Sequence, residues 1–230
     1  MAPYPTNRPG RRMSQASEPP HDCPVCPRLV AYRQTNQAQH PDWFNGPAPS
    51  FGDPDARLLV VGLAPGRAGA NRTGRPFTGD FAGVLLYQTL IKTGFATGRY
   101  EAKPDDGLRM VDCMITNAVR CAPPANKTTP AEEAACRPFL AGRMAALPRL
   151  RVIVALGEVA RRNVIRAVGQ RPKPSRGHGV ETDLERYLLI SSYHCSRLNT
   201  NTGRLTAAMF EAIFERAREL LANPAVRNLS

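Results

Sequence analysis

Four of the six cysteines in this chain are spaced as two pairs that could bind a metal. Cys23 and Cys26 form a C-P-V-C motif near the N-terminus, and Cys121 and Cys136 lie fifteen positions apart. Two close thiolates can chelate as a pair, and a fold can bring a distant pair to them, so a four-thiolate site is possible. The spacing does not distinguish iron–sulfur from zinc, and it leaves open that Cys121 and Cys136 are ordinary small apolar residues. The other two cysteines are expected to pack in the interior: Cys113 and Cys195.

A glycine-rich loop ends with one aromatic residue and one carboxylate. It reads GLAPGRAGANRTGRPFTGDFAG from Gly62 to Gly83. Glycine lets the backbone approach a planar ligand, and the ring of Phe77 offers a stacking face, although this ring could instead plug the core. Asp80 could do acid–base chemistry or could cap the helix that follows it. The loop lacks GxxxxGK[ST], and it has no GxGxxG that opens a helix, which argues against a P-loop or Rossmann nucleotide-binding fold.

Two more polar side chains follow predicted strands. Asn117 ends the second predicted strand, and its amide offers both a donor and an acceptor to a ligand. His194 ends the last one, where an imidazole can donate to an oxyanion. Such residues are often a turn former and a structural histidine. In open α/β sheets, however, ligands bind beyond the carboxyl ends of the strands, which favours a functional role for both.

Strand and helix patterns alternate four times along the chain. The predicted strands are Arg57–Leu63, Met110–Asn117, Arg151–Leu156 and Arg186–Ser192. The predicted helices are Phe81–Ile91, Pro130–Ala146, Glu158–Val168 and Leu205–Ala222. This alternation predicts an α/β fold with a mainly parallel, four-stranded sheet and helices on both faces. Thr129 with Glu132 is predicted to form a capping box, and Thr206 a weaker helix start.

The composition is that of one globular domain with a basic surface. The 230 residues are 42% hydrophobic, and 31 Lys and Arg against 19 Asp and Glu give a net charge of +12. That excess favours an anionic partner such as nucleic acid over a membrane. We predict a disordered basic, Pro-rich arm at 1–20, one domain at 21–222 and a tail at 223–230. No run is long enough to span a membrane, so we expect a cytoplasmic protein with reduced or metal-bound cysteines.

Four motifs, in this order, resemble the iron–sulfur uracil-DNA glycosylases. They are the early C-P-V-C, the glycine-rich loop, the stretch TNAVRCAPPANKTTPAEEAACRPFL and the late SYHCSRLNTNTGRLT. Ala64 after Gly-Leu, and NTNTGRL after the histidine motif, resemble family 5, the b type. The resemblance covers nearly all of the chain between Cys23 and Ala222.

This resemblance implies a three-layer α/β/α fold and excision of uracil and other deaminated bases from DNA, such as hypoxanthine, xanthine and ethenocytosine. It also implies a structural 4Fe-4S cluster, and by position its ligands are Cys23, Cys26, Cys121 and Cys136. The implied substrate-binding residues are Gly62, Leu63, Ala64, Phe77 and Asn117, with Phe77 stacked on uracil.

The resemblance gives Asp80 the task of orienting water or steadying the sugar cation, and His194 that of supporting the leaving base. Ala64 departs from other branches of the superfamily, which carry a polar residue nearby.

Side chains in the glycine-rich loop and in the segment after His194 are expected to contact DNA. The phosphate-contact candidates are Arg72, Arg75, Arg197 and Arg204. Leu198 occupies the position at which related glycosylases insert an apolar wedge into the duplex. We expect a monomer that acts on DNA containing uracil or other deaminated bases. The alternative is a non-catalytic, metal-stabilised nucleic-acid-binding module, which would share the charge and the cysteines but would not need Asp80 or His194.

Overall fold

Six strands form the central sheet of the computed structural model, which describes residues 17–173 and 177–223. In chain order the strands are β1 (Phe51–Gly52), β2 (Leu58–Gly62), β3 (Ala96–Thr97), β4 (Arg109–Met110), β5 (Cys113–Asn117), β6 (Val152–Leu156), β7 (Glu181–Asp183) and β8 (Leu188–Ser192). The central sheet has the order β1-β5-β2-β6-β8-β7, and its four middle strands are parallel. Strands β3 and β4 form a separate antiparallel pair.

The prediction of a four-stranded sheet is therefore wrong in the number of strands. All four predicted strands are present, but β1 and β7 extend the sheet as antiparallel edges. These edge strands have two and three residues, which is too short for a hydrophobic pattern to reveal. The predicted strand Met110–Asn117 is also interrupted, because Asp112 has a positive φ of 51° and separates β4 from β5.

Seven α-helices accompany these strands in the described ranges. They are α1 (Pro27–Gln39), α2 (Ala70–Thr73), α3 (Phe81–Lys92), α4 (Pro130–Ala146), α5 (Glu158–Ala167), α6 (Arg197–Asn201) and α7 (Ala207–Ala222). Helix α4 begins with the predicted capping box, in which Thr129 accepts from the Glu132 amide and Glu132 accepts from the Thr129 amide. Thr206 likewise accepts from the Met209 amide at the start of α7. No helix in the described ranges has the length and apolar character of a membrane span.

The two faces of the sheet form two hydrophobic cores. Alternate residues of β2 divide between them: Leu58 and Val60 pack in the core that contains α3 and α7, and Leu59 and Val61 pack in the core that contains α4 and α5. All four side chains are fully buried, as expected for a parallel strand covered on both faces. The fold is therefore the three-layer α/β/α architecture, with the carboxyl ends of the parallel strands free to carry a site.

The start of the described chain is attached to this domain. The Glu18 carboxylate pairs with the buried Arg120 at 2.8 Å and with Arg143 at 2.6 Å. Arg120 also donates to the carbonyl of Ser17. Ser17 and Glu18, which the sequence assigns to the arm, thus contact the folded domain. Most of the predicted arm, and the predicted tail beyond residue 223, lie outside the described residues.

Candidate active site

A pocket of about 280 Å³ opens at the carboxyl ends of β2, β5 and β8. Six of the seven predicted catalytic and substrate-binding residues line it: Leu63, Ala64, Phe77, Asp80, Asn117 and His194. They reach the pocket from four separate stretches of chain, because parallel strands end at the same edge of the sheet.

The seventh residue, Gly62, keeps the space inside the pocket open. A Cβ atom at this position would lie 2.5 Å from both Phe77 Cζ and Asn117 Oδ1. Phe77 is itself unusual, since it adopts a positive φ of 56° while only 7% of it is exposed. Non-glycine residues in this conformation are uncommon and cluster at functional sites. The slot between the ring and the amide therefore depends on glycine at position 62.

Asn117 offers a hydrogen-bonding group that the described chain leaves unused. It is the last residue of β5 and is only 2% exposed. Its side-chain Oδ1 is buried and has no hydrogen-bond partner among the described residues. An unsatisfied buried polar atom costs about 1–3 kcal/mol, so a polar ligand that reaches Asn117 would recover that cost.

Asp80 occupies the N-cap position of α3, yet its side chain makes no cap hydrogen bond. The carboxyl group lies instead against the glycine-rich loop: a Cβ at Gly66 would be 2.5 Å from Asp80 Oδ1, and one at Gly69 would overlap the carboxyl group. Burial raises the pKa of Asp80, while the charge of Arg72 and the backbone amides of Gly66 and Ala70 favour the ionised form. The loop glycines thus make room for a carboxylate that lines the pocket.

His194 faces Phe77 within the same pocket. Their ring centroids are 6.2 Å apart with an interplanar angle of 30°. Burial lowers the pKa of His194, so its imidazole is neutral at neutral pH and can donate from one ring nitrogen. The side chain of Asn199 donates to the His194 carbonyl at 2.8 Å, which fixes the turn between β8 and α6.

Four of the five side chains predicted to contact DNA are exposed. Arg197 lines the pocket, and its guanidinium lies 5.0 Å from the ring centroid of Phe81. Arg204 is exposed and lies 4.6 Å from the ring centroid of Tyr193. Leu198 is 73% exposed on α6, close to the pocket. Arg72 is also exposed, although its Nε donates to the Ala68 carbonyl at 2.8 Å.

The prediction that Arg75 contacts phosphate is wrong. Arg75 is only 4% exposed, and two of its guanidinium nitrogens donate to the two carboxylate oxygens of Asp106, each at 2.7 Å. The guanidinium also lies within 5.8 Å of the ring centroids of Phe51, Tyr87 and Tyr100. A buried, bidentate ion pair leaves no free charge for DNA, so Arg75 supports the loop from inside.

All four predicted ligand cysteines line a second, small cavity next to Leu29 and Phe139. None of them is in a disulfide bond. The amide of Arg120 donates to Cys136 Sγ at 3.3 Å, and Arg33 Nη1 lies 3.9 Å from Cys121 Sγ. Burial raises the pKa of the Cys121 thiol to about 12 and that of Cys136 to about 11.

The four thiols line one cavity between the N-terminal segment, the loop after β5 and α4. Among the described residues, no group of three or more His, Cys, Asp or Glu side chains is arranged to hold a single metal ion. Cys113 and Cys195 lie apart from this cavity, fully buried in the core that contains α3 and α7.

Several pocket residues were missed by the sequence analysis. Phe81 and Ser196 line the pocket, and their positions next to Asp80 and close to His194 were the only signal available. Asn126 also lines it, from the short 3-10 helix Pro124–Asn126 after β5, and has a positive φ of 55°.

Comparison with known proteins was consistent with this geometry. The family model for the "Uracil DNA glycosylase superfamily" matches residues 49–218. The "Type-5 uracil-DNA glycosylase" of Thermus thermophilus is 46% identical over 208 residues, which cover 86% of this chain and 93% of that protein. The protein of the same name from Pyrobaculum aerophilum is 40% identical over 200 residues, covering 85% and 88%. A "Type-4 uracil-DNA glycosylase" from Thermotoga maritima is 40% identical over 110 residues, covering only 47% and 49%.

Proposed function

The chain belongs to the uracil-DNA glycosylase superfamily, and we propose that it hydrolyses the N-glycosidic bond of uracil in DNA as a type-5 enzyme, with the pocket beside Asn117 as the site. The observation that carries this proposal is the buried, unpartnered Oδ1 of Asn117 beside the ring of Phe77. Such a site suits a flat ligand with a polar edge, which is what a base extruded from the DNA stack presents.

We propose that Phe77 stacks on the extruded uracil while Asn117 binds its edge. The amide oxygen would accept from N3–H, and the amide nitrogen would donate to O4. Both side chains are buried, at 7% and 2% exposure, so they are held in place before the base arrives. Gly62 supports this role because a side chain there would meet both of them.

The chemistry is assigned to Asp80 and His194. Cleavage leaves positive charge on the sugar and negative charge on the departing base. The Asp80 carboxylate would orient water or stabilise the sugar cation. A neutral His194 would donate a hydrogen bond to the O2 of the leaving base. Asp80 is the only carboxylate among the described pocket residues, and Ala64, which lines the same pocket, offers no polar group.

Binding to DNA is assigned to three of the exposed side chains described above. Arg197 and Arg204 would contact phosphates, and Leu198 would enter the duplex where the base leaves it. The net charge of +12 supports a phosphate-driven affinity. We further propose that the protein acts as a monomer in the cytoplasm and accepts hypoxanthine, xanthine and ethenocytosine besides uracil.

We also propose that the cysteine cavity holds a structural 4Fe-4S cluster. The supporting observation is the donor set, because four cysteine thiols line one cavity and thiolates are the ligands that hold iron–sulfur clusters. Bound iron would keep the thiols deprotonated despite their burial. The cluster would tie the segment with Cys23 and Cys26 to the loop after β5 and to α4.

Base release from oligonucleotides tests the function. Duplexes and single strands that contain uracil, hypoxanthine, xanthine or ethenocytosine would be incubated with excess protein, and free base would be quantified. We expect uracil release from the wild-type chain and much less from Asn117→Ala. DNA binding without release of any base would favour the non-catalytic binding module.

Iron analysis tests the cluster. We expect Cys121→Ser to lose the visible absorbance, the bound iron and much of the folded protein. Cys195→Ser is the matched control, because this thiol is buried away from the cavity, and it should retain the absorbance, the iron and the folded protein. Full iron content in Cys121→Ser would contradict the assignment.

A further inference from the structure

We propose that Tyr100, which lies outside every motif used above, is a positioning residue for the substrate pocket. Its hydroxyl would hold the segment that carries Phe77 and leads to Asp80. This inference rests on the proposed function, since it concerns how the same pocket binds the base.

The Tyr100 hydroxyl bridges the backbone on both sides of Thr78. It donates to the Phe77 carbonyl at 3.1 Å and accepts from the Gly79 amide at 3.3 Å. Phe77 needs such support because its φ of 56° is unfavourable for a residue with a Cβ. One hydroxyl therefore uses its donor and its acceptor to fix the peptide groups that flank the strained residue.

The first turn of α3 packs against the Phe77 carbonyl and the Tyr100 hydroxyl. A Cβ at Gly83 would overlap the Phe77 carbonyl oxygen and lie 2.7 Å from the Tyr100 hydroxyl oxygen. Glycine at position 83 thus leaves the room into which the carbonyl and the hydroxyl fit. The contact is built by two distant stretches of chain.

Tyr100 is held in turn by the buried ion pair of Arg75 and Asp106. The Asp106 carboxylate accepts from the amides of Glu101 and Leu108 at 3.0 Å and 3.1 Å, which fixes the loop after Tyr100. The Asp106 side chain is fully buried. The buried Tyr87 ring stacks on the Tyr100 ring, with centroids 4.6 Å apart.

Arg75 and Tyr87 also hydrogen-bond directly to the segment between Pro76 and Gly79. Arg75 Nε donates to Thr78 Oγ1 at 2.6 Å, and the Tyr87 hydroxyl donates to the Pro76 carbonyl at 2.6 Å. The peptide from Pro76 to Gly79 is therefore fixed by side chains at each step. Within this brace, Tyr100 makes the direct hydrogen bond to Phe77, so removing its hydroxyl should loosen the stacking ring.

The test is Tyr100→Phe, which keeps the ring and deletes only the hydroxyl. Two quantities would be measured: the single-turnover rate of uracil release, and the inhibition constant of free uracil, which reports occupancy of the pocket without DNA. We expect the rate to fall about tenfold and free uracil to inhibit about tenfold more weakly, as for the loss of one to two hydrogen bonds. Affinity for uracil-free duplex should not change.

Tyr187→Phe is the matched control. Its hydroxyl donates to the Met144 carbonyl at 3.5 Å in the core on the opposite face of the sheet. This variant also loses a buried hydroxyl, and it should keep the wild-type rate and inhibition constant. If the two variants affect inhibition by uracil equally, Tyr100 has only a general structural role and the proposal is overturned.

A double-mutant cycle with Phe77→Ala tests whether Tyr100 acts through the ring. In the Phe77→Ala background, Tyr100→Phe should cause little further loss, because the group it positions is already gone. Equal losses in both backgrounds would overturn the proposal. Absence of uracil release from the wild-type chain would instead refute the proposed function, so the two failures are distinguishable.

Discussion

Asp80→Asn is the substitution that best separates the two roles open to this carboxylate. Asparagine caps helices nearly as well as aspartate and has almost the same size. It lacks the charge and cannot act as a base. Because the Asp80 side chain makes no cap hydrogen bond in α3, the substitution should leave the helix intact and remove only the chemistry.

The expected loss in the rate of uracil release is about 10²–10⁴-fold, the range for a positioned acid–base group. This corresponds to about 3–5 kcal/mol of transition-state free energy. Asparagine cannot replace the carboxylate in orienting water as a base or in stabilising a sugar cation, because its side-chain amide is neutral. Its amide oxygen can still accept from the backbone amides of Gly66 and Ala70, so the substitution removes the charge and keeps an acceptor.

The stability change should have the opposite sign to the activity change. Burial raises the pKa of Asp80 above its ordinary value of 3.8. Between the unfolded and the folded pKa, the folded chain binds more protons, so stability falls as pH rises through this window. At neutral pH the ionised carboxylate therefore costs stability. Asp80→Asn should retain or raise the Tm at pH 7 while it loses activity.

The assay is single-turnover uracil release across pH, with Tm measured on the same samples. The wild-type rate should fall as the pH drops through the raised pKa of Asp80, and the residual rate of Asp80→Asn should lack that decrease. Asp53→Asn is the control: this half-buried carboxylate accepts from the Asp55 and Asp112 amides at the amino end of β2, away from the pocket. A wild-type rate in Asp80→Asn would refute the reasoning and leave Asp80 with its N-cap position only.

Three further predictions follow from the pocket and its rim. Gly62→Ala should lower uracil release about 100-fold, because the added methyl would lie 2.5 Å from two pocket side chains; a wild-type inhibition constant for free uracil would contradict this. His194→Ala should slow single-turnover release about 10²–10³-fold without changing affinity for uracil-free duplex, as for the loss of one oxyanion donor; an unchanged rate would remove it from the catalytic set. Arg197→Ala should reduce the slope of log Kd against log salt by about one unit, measured by fluorescence anisotropy; an unchanged slope would show that this side chain does not neutralise a phosphate.

Local signals in the sequence were enough for the main elements and for several of the residues that line the pocket. The capping box at Thr129 is formed by residues three apart, and the structure contains it as predicted. The order of strands and helices follows from short apolar runs, which is why the three-layer architecture could be predicted. Asp80, Asn117 and His194 could be placed at one edge of the sheet because each follows a predicted strand or its loop.

What the sequence could not determine depends on partners that are distant along the chain. Arg75 was assigned to DNA because an arginine in a basic loop has no visible partner. In the fold it pairs with Asp106, 31 positions away. Tyr100 contacts Phe77 from 23 positions away, and no periodicity marks it.

The direction in which a side chain points also depends on distant partners. The sequence allowed Asp80 to be a helix cap as well as a catalytic group and favoured catalysis. The packing of its carboxyl group against Gly66 and Gly69 decided where it lies. The sequence thus determined which residues are available and in which order the strands end. Only the tertiary structure decided which charges are neutralised, because burial and pairing depend on segments that meet after folding.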